Sequence, residues 1–277
     1  MSRHIIARAL FAVLVIMPLG CTTTTEEGAV GVHRSQLLLV SSAEVDQAAA
    51  AQYQKVIQTE KPKGNVNSDP KQVERVRGIA KRLIPQTAVF RKDALEWKWE
   101  VNVITSPEVN AWCMPGGKIA VYTGIIEKLQ ITDDELAAVM GHEIAHALRE
   151  HGRERASQQM AAGAGASLAG VVADIFLPGS GQLATQGAGL GAQVGVLLPY
   201  SRTHETEADR IGVELAARAG YDPRAAITLW QKMAKLSSGG APPSLLSTHP
   251  SNEERIKDLT VFSQKVLPLY QQARAKP

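Results

Sequence analysis

Apolar residues along the chain recur mostly at helical intervals, with one stretch of alternation in between. Val73, Val76, Ile79, Ala80 and Leu83 recur every three or four residues behind an Asp69-Pro70 start, which predicts a helix ending before Pro85. A helix over Ala43–Thr59 precedes it, opened by Ser41 and Glu44 at capping-box spacing and separated from it by the polar stretch Lys61 to Ser68. Trp97, Trp99, Val101 and Val103 then alternate with Lys98, Glu100 and Asn102, the period of a half-buried strand. Asn110–Met114 and Lys118–Tyr122 flank a Pro115-Gly116-Gly117 turn and predict two more strands, hence a small antiparallel sheet.

Helical periodicity resumes at Thr132 and Glu135, a second capping-box pair. Leu136, Met140, Ile144 and Leu148 follow every four residues along a long helix expected to run to about Glu154. Further helices are expected from Ser201 to Ala219, where Gly220 stops the pattern, and from Asp222-Pro223 to about Ser237. Pro242-Pro243 marks a loop, and a last helix capped by Ser251 and Glu254 runs to about Arg274. No repeat of fixed period is present. The fold class is therefore α+β, predominantly helical with a small antiparallel β-sheet, in one domain over residues 41–277. The segment Met160–Leu198 is rich in Gly, Ala and small apolar residues; a membrane hairpin, a lid over a cleft and close-packed helices all fit it. Asp174, Pro178 and several glycines interrupt any span, and such weakly packing composition favours a lid or interfacial element.

The N-terminus reads differently. Arg3, His4 and Arg8 precede an apolar run, Ala9–Leu19, too short for a comfortable span, so residues 1–20 are expected to be an export signal. Pro18-Leu19-Gly20-Cys21 resembles a bacterial lipobox, with Pro where an aliphatic residue is usual. That resemblance implies lipidation of Cys21, a lipid anchor in a membrane, a tether over residues 21–40 and a periplasm-facing protein. With Thr22 rather than Asp after the Cys, it implies the outer membrane. If Cys21 carries lipid, Cys113 is the one remaining cysteine of the two and no internal disulfide can form; between Trp112 and Met114 it is expected to be a buried, inert thiol.

Composition adds exclusions. Of 277 residues, 44% are hydrophobic and 21% charged, a globular profile. Two of the 30 basic residues, Arg3 and Arg8, fall in the expected signal, so the rest of the chain is nearly neutral against 27 acidic residues. Neither that balance nor any helix-turn-helix or zinc-finger spacing points to nucleic acid.

The chemistry is concentrated in His142-Glu143-Ile144-Ala145-His146. Residues four apart share a helix face, so both imidazoles can reach one ion while Glu143 is offset towards a metal-activated water. A hydrolytic zinc site needs a third ligand, and Ser201–Asp209 is rich in candidates. Glu205 and Asp209 share one face, and the small Ala208 and Gly212 let their helix come close. Glu205 can then ligate while Asp209 hydrogen-bonds a histidine ring. Glu207 and His204 are offset and read as a solvated face, although His204 and Arg202 are candidate oxyanion stabilisers. His249 is either a structural or exposed loop residue before Pro250, or a fourth ligand that latches the resting site. His4, His33 and His151 receive no role, His151 because it lies five residues beyond His146.

These residues resemble the gluzincin metalloendopeptidases, which include CAAX-prenyl proteases, HtpX-type heat-shock proteases, the mitochondrial Oma-type protease and periplasmic lipoprotein proteases. Asn110–Ile119 is similar to the family's NAxxxPGGxI stretch, His142–His146 to HExxH, Glu205–Asp209 to ExxxD, and Ser247–Ser251 to a downstream segment of the Oma-type branch. The likeness runs from about residue 35 to 260. It implies a zincin-like domain with one Zn2+ per chain, held by His142, His146 and Glu205 with Asp209 in support. It implies Glu143 as general base and a substrate edge at Asn110, Ala111 and Gly117. The substrates it implies are misfolded or unassembled cell-envelope proteins; a non-catalytic chaperone using the same groove, or a structural lipoprotein stapled by its metal, are the alternatives.

Overall fold

The computed structural model describes residues 21–161, 170, 201–237, 243–250 and 253–275. The expected export signal and nearly all of Met160–Leu198 lie outside the described residues.

Residues 21–40 are packed onto the domain rather than strung out as a tether. β1 (Cys21–Thr22) pairs antiparallel with β2 (Gln36–Leu37). Val30 and Val32 enter the main core, Val40 a second one, and Gln36 is fully buried. These apolar positions are scattered without a period, and only tertiary contact reveals them. The first helix, α1 (Ser42–Glu60), has the expected capping box and buries Val45, Ala49 and Tyr53, one per turn. α2 (Pro70–Leu83) begins with Asp69 accepting the amides of Lys71 and Gln72, and buries the whole predicted stripe.

Three strands follow: β3 (Glu100–Ile104), β4 (Ala111–Met114) and β5 (Lys118–Tyr122), in the order β3-β5-β4. The sheet is mixed rather than antiparallel. β4 and β5 form the expected antiparallel pair, but β3 runs parallel to β5, because the chain between Ile104 and Ala111 carries β4 to the far side of β5. Trp97 and Trp99 precede the strand instead of opening it. The Trp99 ring lies over Gly117, where a Cβ would stand 2.6 Å from it. α3 (Thr123–Leu129) leads to the central helix.

That helix, α4 (Asp133–Leu148), is capped by Thr132 and Glu135 as expected, and every residue from Glu135 to Leu148 is buried. It stops at Leu148 rather than reaching Glu154. Glu150 takes a left-handed conformation, φ 50°, and the chain restarts as α5 (His151–Ala161). Arg91 and Arg153 hold the Glu150 carboxylate at 2.5 and 2.6 Å, fixing a backbone geometry that a non-glycine residue adopts at a cost. α6 (Arg202–Arg218), capped by Ser201, crosses α4 at two glycines. A Cβ on Gly141 would meet the Gly212 carbonyl oxygen at 2.8 Å, and one on Gly212 would meet the His142 nitrogen at 2.8 Å. α7 (Ala225–Ser237), α8 (Ser244–Thr248) and α9 (Glu253–Ala275) close the domain. Among the described residues no helix is long and apolar enough to cross a membrane.

Candidate metal centre

Four donor side chains from three parts of the chain converge where α4 meets α6. His142 and His146 come from consecutive turns of α4, Glu205 from the first turn of α6 and His249 from the end of α8; one ligand atom of each lies within 4.8 Å of the others, and all four residues are buried. The Nε2 atoms of His142 and His146 are 3.1 Å apart. Glu205 Oε2 is 3.5 Å from the first and Glu205 Oε1 is 3.4 Å from the second. Zn–N bonds of about 2.0–2.1 Å at a tetrahedral centre put neighbouring donors about 3.3–3.4 Å apart, so these side chains already have the spacing of one small ion. His249, far from being exposed, places Nδ1 3.3 Å from His142 Nε2 and 2.9 Å from Glu205 Oε1. Its position fits the fourth-donor alternative.

Glu143 lies on α4 between the two imidazoles. Its Oε1 is buried without a hydrogen-bond partner among the described residues, and His249 Nε2 is 3.7 Å away. Burial raises the Glu143 pKa above the usual carboxylate value. Beside it an apolar pocket is lined by Val139, Val213, Leu229, Trp230 and Leu245.

Asp209 is where the four-residue spacing placed it. His142 Nδ1–H donates to Asp209 Oδ1 at 2.9 Å, which turns the Nε2 lone pair towards the cluster. Arg255, from the first turn of α9, grips Asp209 with bonds of 2.7 and 2.8 Å. It also approaches Glu205 Oε2 at 2.8 Å, and its guanidinium stacks 4.0 Å from the Trp230 ring. Burial favours neutral acids here. The Arg255 charge nevertheless holds Asp209 down, and His249 with hydrogen bonds from His142 and His146 holds Glu205 well below the usual carboxylate range. Burial likewise opposes charge on His142, yet its bonds to Asp209 and Glu205 carry it up to about 9; at His146 burial prevails and the shift is strongly downward. Sequence reasoning missed Arg255, because Glu253-Glu254-Arg255 looks like an ordinary solvated helix start.

It also missed the rear of the site. His151, His204 and Glu207 are buried, not solvated or idle. His151 Nδ1 is 2.9 Å from His146 Nδ1, and His151 Nε2 donates to Glu207 Oε2 at 3.0 Å. His204 stacks on His151 with ring centroids 4.4 Å apart, and its Nε2 lies 3.1 Å from Glu154. Burial, reinforced by His204 and Arg149, keeps His151 uncharged. The left-handed turn at Glu150 is what returns His151 to the His146 ring, a contact that an unbroken helix would not make. Arg202, in contrast, is exposed and lies 3.8 Å from Glu254, away from the cluster.

Of the expected substrate-edge residues, Ala111 lies in β4 at the edge of the sheet and Asn110 immediately precedes it. The Asn110 side chain bonds Glu108 and the Ala111 amide. Gly117, φ 81°, serves the turn beneath Trp99. Cys113 is buried as expected, on the strand β4 that packs against α4; burial and the neighbouring Glu143 carboxylate push its thiol pKa well up.

With this arrangement in view, the sequence profile of peptidase family M48 matches residues 70–262, most of the chain. The chain belongs to peptidase family M48. This M48 chain is 40% identical over 185 residues to mitochondrial metalloendopeptidase OMA1 of Schizosaccharomyces pombe, covering 66% of the chain and 51% of that protein. To the mitochondrial metalloendopeptidase OMA1 of Arabidopsis thaliana it is 39% identical over 179 residues, 64% of the chain and 34% of that protein. To the beta-barrel assembly-enhancing protease of Escherichia coli it is 28% identical over 213 residues, 74% of the chain and 42% of that protein. The chain thus spans about half or less of these relatives' length. The expected periplasm-facing, outer-membrane placement is corrected here, since the relatives at 40% and 39% identity are mitochondrial proteins.

Proposed function

We propose that this M48 chain is a zinc-dependent endopeptidase acting on unfolded or misassembled protein chains, with His142, His146 and Glu205 holding the ion. The observation that carries the reading is the buried four-donor cluster, its ligand atoms all within 4.8 Å of one another, with Glu143 Oε1 beside it and without a hydrogen-bond partner among the described residues. A zinc ion held there supplies Lewis acidity towards a water and the scissile carbonyl. Glu143 takes the proton of the attacking water and delivers it to the leaving amine, a transfer favoured by its raised pKa. Asp209 and Arg255 fix the His142 ring. In the described geometry His249 stands in the fourth donor position, so it acts as a latch that gives way before water attacks.

The sheet edge supports a substrate that is read through its main chain. The Asn110 carbonyl accepts the Tyr122 amide, so alternation turns the backbone groups of Ala111 and Cys113 outward, away from β5. An extended peptide can add there as a further strand beside α4 without much sequence being read. A relative named for enhancing β-barrel assembly agrees with unassembled proteins as substrates. The test is cleavage of an unfolded protein such as casein by the wild type, by Glu143→Gln and by the chelated wild type. Cleavage by the wild type alone supports the reading; an intact, zinc-loaded wild type that never cleaves points to a holding function and overturns it.

A further inference from the structure

We propose that His151 is a positioning residue for the metal centre, fixing the tautomer of His146 and linking that ring, through Glu207, to Arg34 of the N-terminal segment. The inference rests on the zinc reading above.

The described contacts assign the protons. Two ring nitrogens, His146 Nδ1 and His151 Nδ1, meet at 2.9 Å, so one must carry the proton and the other a lone pair. The other nitrogen of His151 lies 3.0 Å from Glu207 Oε2, and a carboxylate only accepts. The His151 proton is therefore on Nε2, its Nδ1 is the acceptor, and His146 Nδ1–H is the donor. That leaves the His146 Nε2 lone pair facing His142 Nε2 and Glu205 Oε1, the direction a metal ligand needs.

The surroundings keep this chain of contacts from reversing. Arg149 reaches Glu207 Oε2 from Nε and Nη2 at 3.2 and 3.1 Å, while Arg34 grips both Glu207 oxygens at 2.7 and 3.2 Å. Both guanidiniums donate to the Glu207 oxygens, and Oε2, which receives Arg149 and Arg34, is also the atom that accepts from His151. Arg34 also clamps Glu154, at 2.6 and 2.8 Å, and Glu154 in turn takes Gln36 and His204. The His204 ring, 19° from parallel with His151, fixes the plane of the latter. The N-terminal segment is itself seated on the same group, since Arg149 binds the Arg34 carbonyl and the Thr23 hydroxyl. A left-handed Glu150 is the local device that makes the contact possible, and such conformations gather at functional positions.

The test is zinc affinity of the full chain, measured by competition with a chromophoric chelator, for wild type, His151→Leu, Glu207→Gln and Arg34→Gln, with the melting temperature of each metal-free form. Positioning predicts affinity about 10–100-fold weaker for His151→Leu, with a smaller loss for Glu207→Gln and the smallest for Arg34→Gln. Wild-type affinity in the first two variants, with only the melting temperature lowered, would mean that His151 merely fills space, and overturns the inference alone. A wild type that binds no zinc overturns the zinc reading and this inference together. Should His151→Leu fail to fold, Glu207→Gln preserves shape, and nitrogen-15 NMR of the wild-type imidazoles reads the tautomer directly. His151 protonated on Nε2 is expected; protonation on Nδ1 overturns the inference.

Discussion

His142 and His146 stand one turn apart on α4 and face the same cluster, but the two rings are supported by different means. His142 meets a carboxylate directly, and that carboxylate sits four residues beyond Glu205 on α6, locked by Arg255. His146 meets another imidazole, delivered by a break in the helix and backed by Glu207 and by Arg34, which is 173 residues away from Glu207 in sequence. The electrostatic outcome differs accordingly: the carboxylate raises His142, while His146, with a neutral ring behind it, is dominated by burial. The carboxylate partners favour a proton on His142, whereas burial favours the neutral form of His146. The first support comes from α6, with Arg255 of α9 behind it; the second is assembled from three segments, His151 of α5, Glu207 of α6 and Arg34 near the N-terminus.

The largest effect should leave both supports untouched. Glu143→Gln removes the base and should lower kcat on an unfolded substrate by about 10²–10⁴-fold while metal content stays at the wild-type level. Loss of metal in that variant would show that Glu143 belongs to the supports and not to the chemistry. Asp209→Asn attacks the direct support alone and should weaken zinc binding about 10–100-fold in the same competition assay, leaving the His146 side intact. Both supports depend on α4 and α6 being close, so Gly212→Ala, whose Cβ would stand 2.8 Å from the His142 nitrogen, should cost about 1–3 kcal/mol in chemical denaturation.

Proton competition separates the two rings further. In metal-free protein His142 is raised from 6.5 to about 9, so its stabilising contribution is complete below pH 6.5 and is lost as pH rises through 9. Melting temperature without metal should fall across that window. Apparent zinc affinity should rise across it, by up to about tenfold per pH unit, because the ion displaces that proton. Asp209→Asn should flatten both trends. The smallest change expected is a several-fold gain in proteolysis for His249→Ala at intact zinc content, since it opens the fourth position without touching either support; unchanged or lower activity would remove the latch.

The direct support was legible in the sequence because periodicity exposes it: His142, His146, Glu205 and Asp209 are pairs at i, i+4 on capped helices, and α2 and α4 start where Asp69 and Thr132 say they do. The relay was not. Nothing between Leu148 and His151 is a Gly or Pro, so the left-handed Glu150 leaves no local mark, and without it His151 falls off the ligand face. Val30, Val32 and Val40 carry no period, so residues 21–40 look like a tether until they are packed. Strand order is similarly non-local: the alternation marks β3, β4 and β5, but only tertiary pairing puts β5 in the middle and makes β3 parallel to it. Arg255 is hidden for the same reason, its burial being set by Asp209 and Trp230 on other helices.

The most direct test is metal analysis of the purified full chain beside Glu205→Ala. One zinc per wild-type chain, lost or greatly weakened in Glu205→Ala, is the expected result. A wild type that takes up no divalent ion, or a Glu205→Ala chain that keeps zinc at wild-type affinity, would contradict a centre built on these two helices.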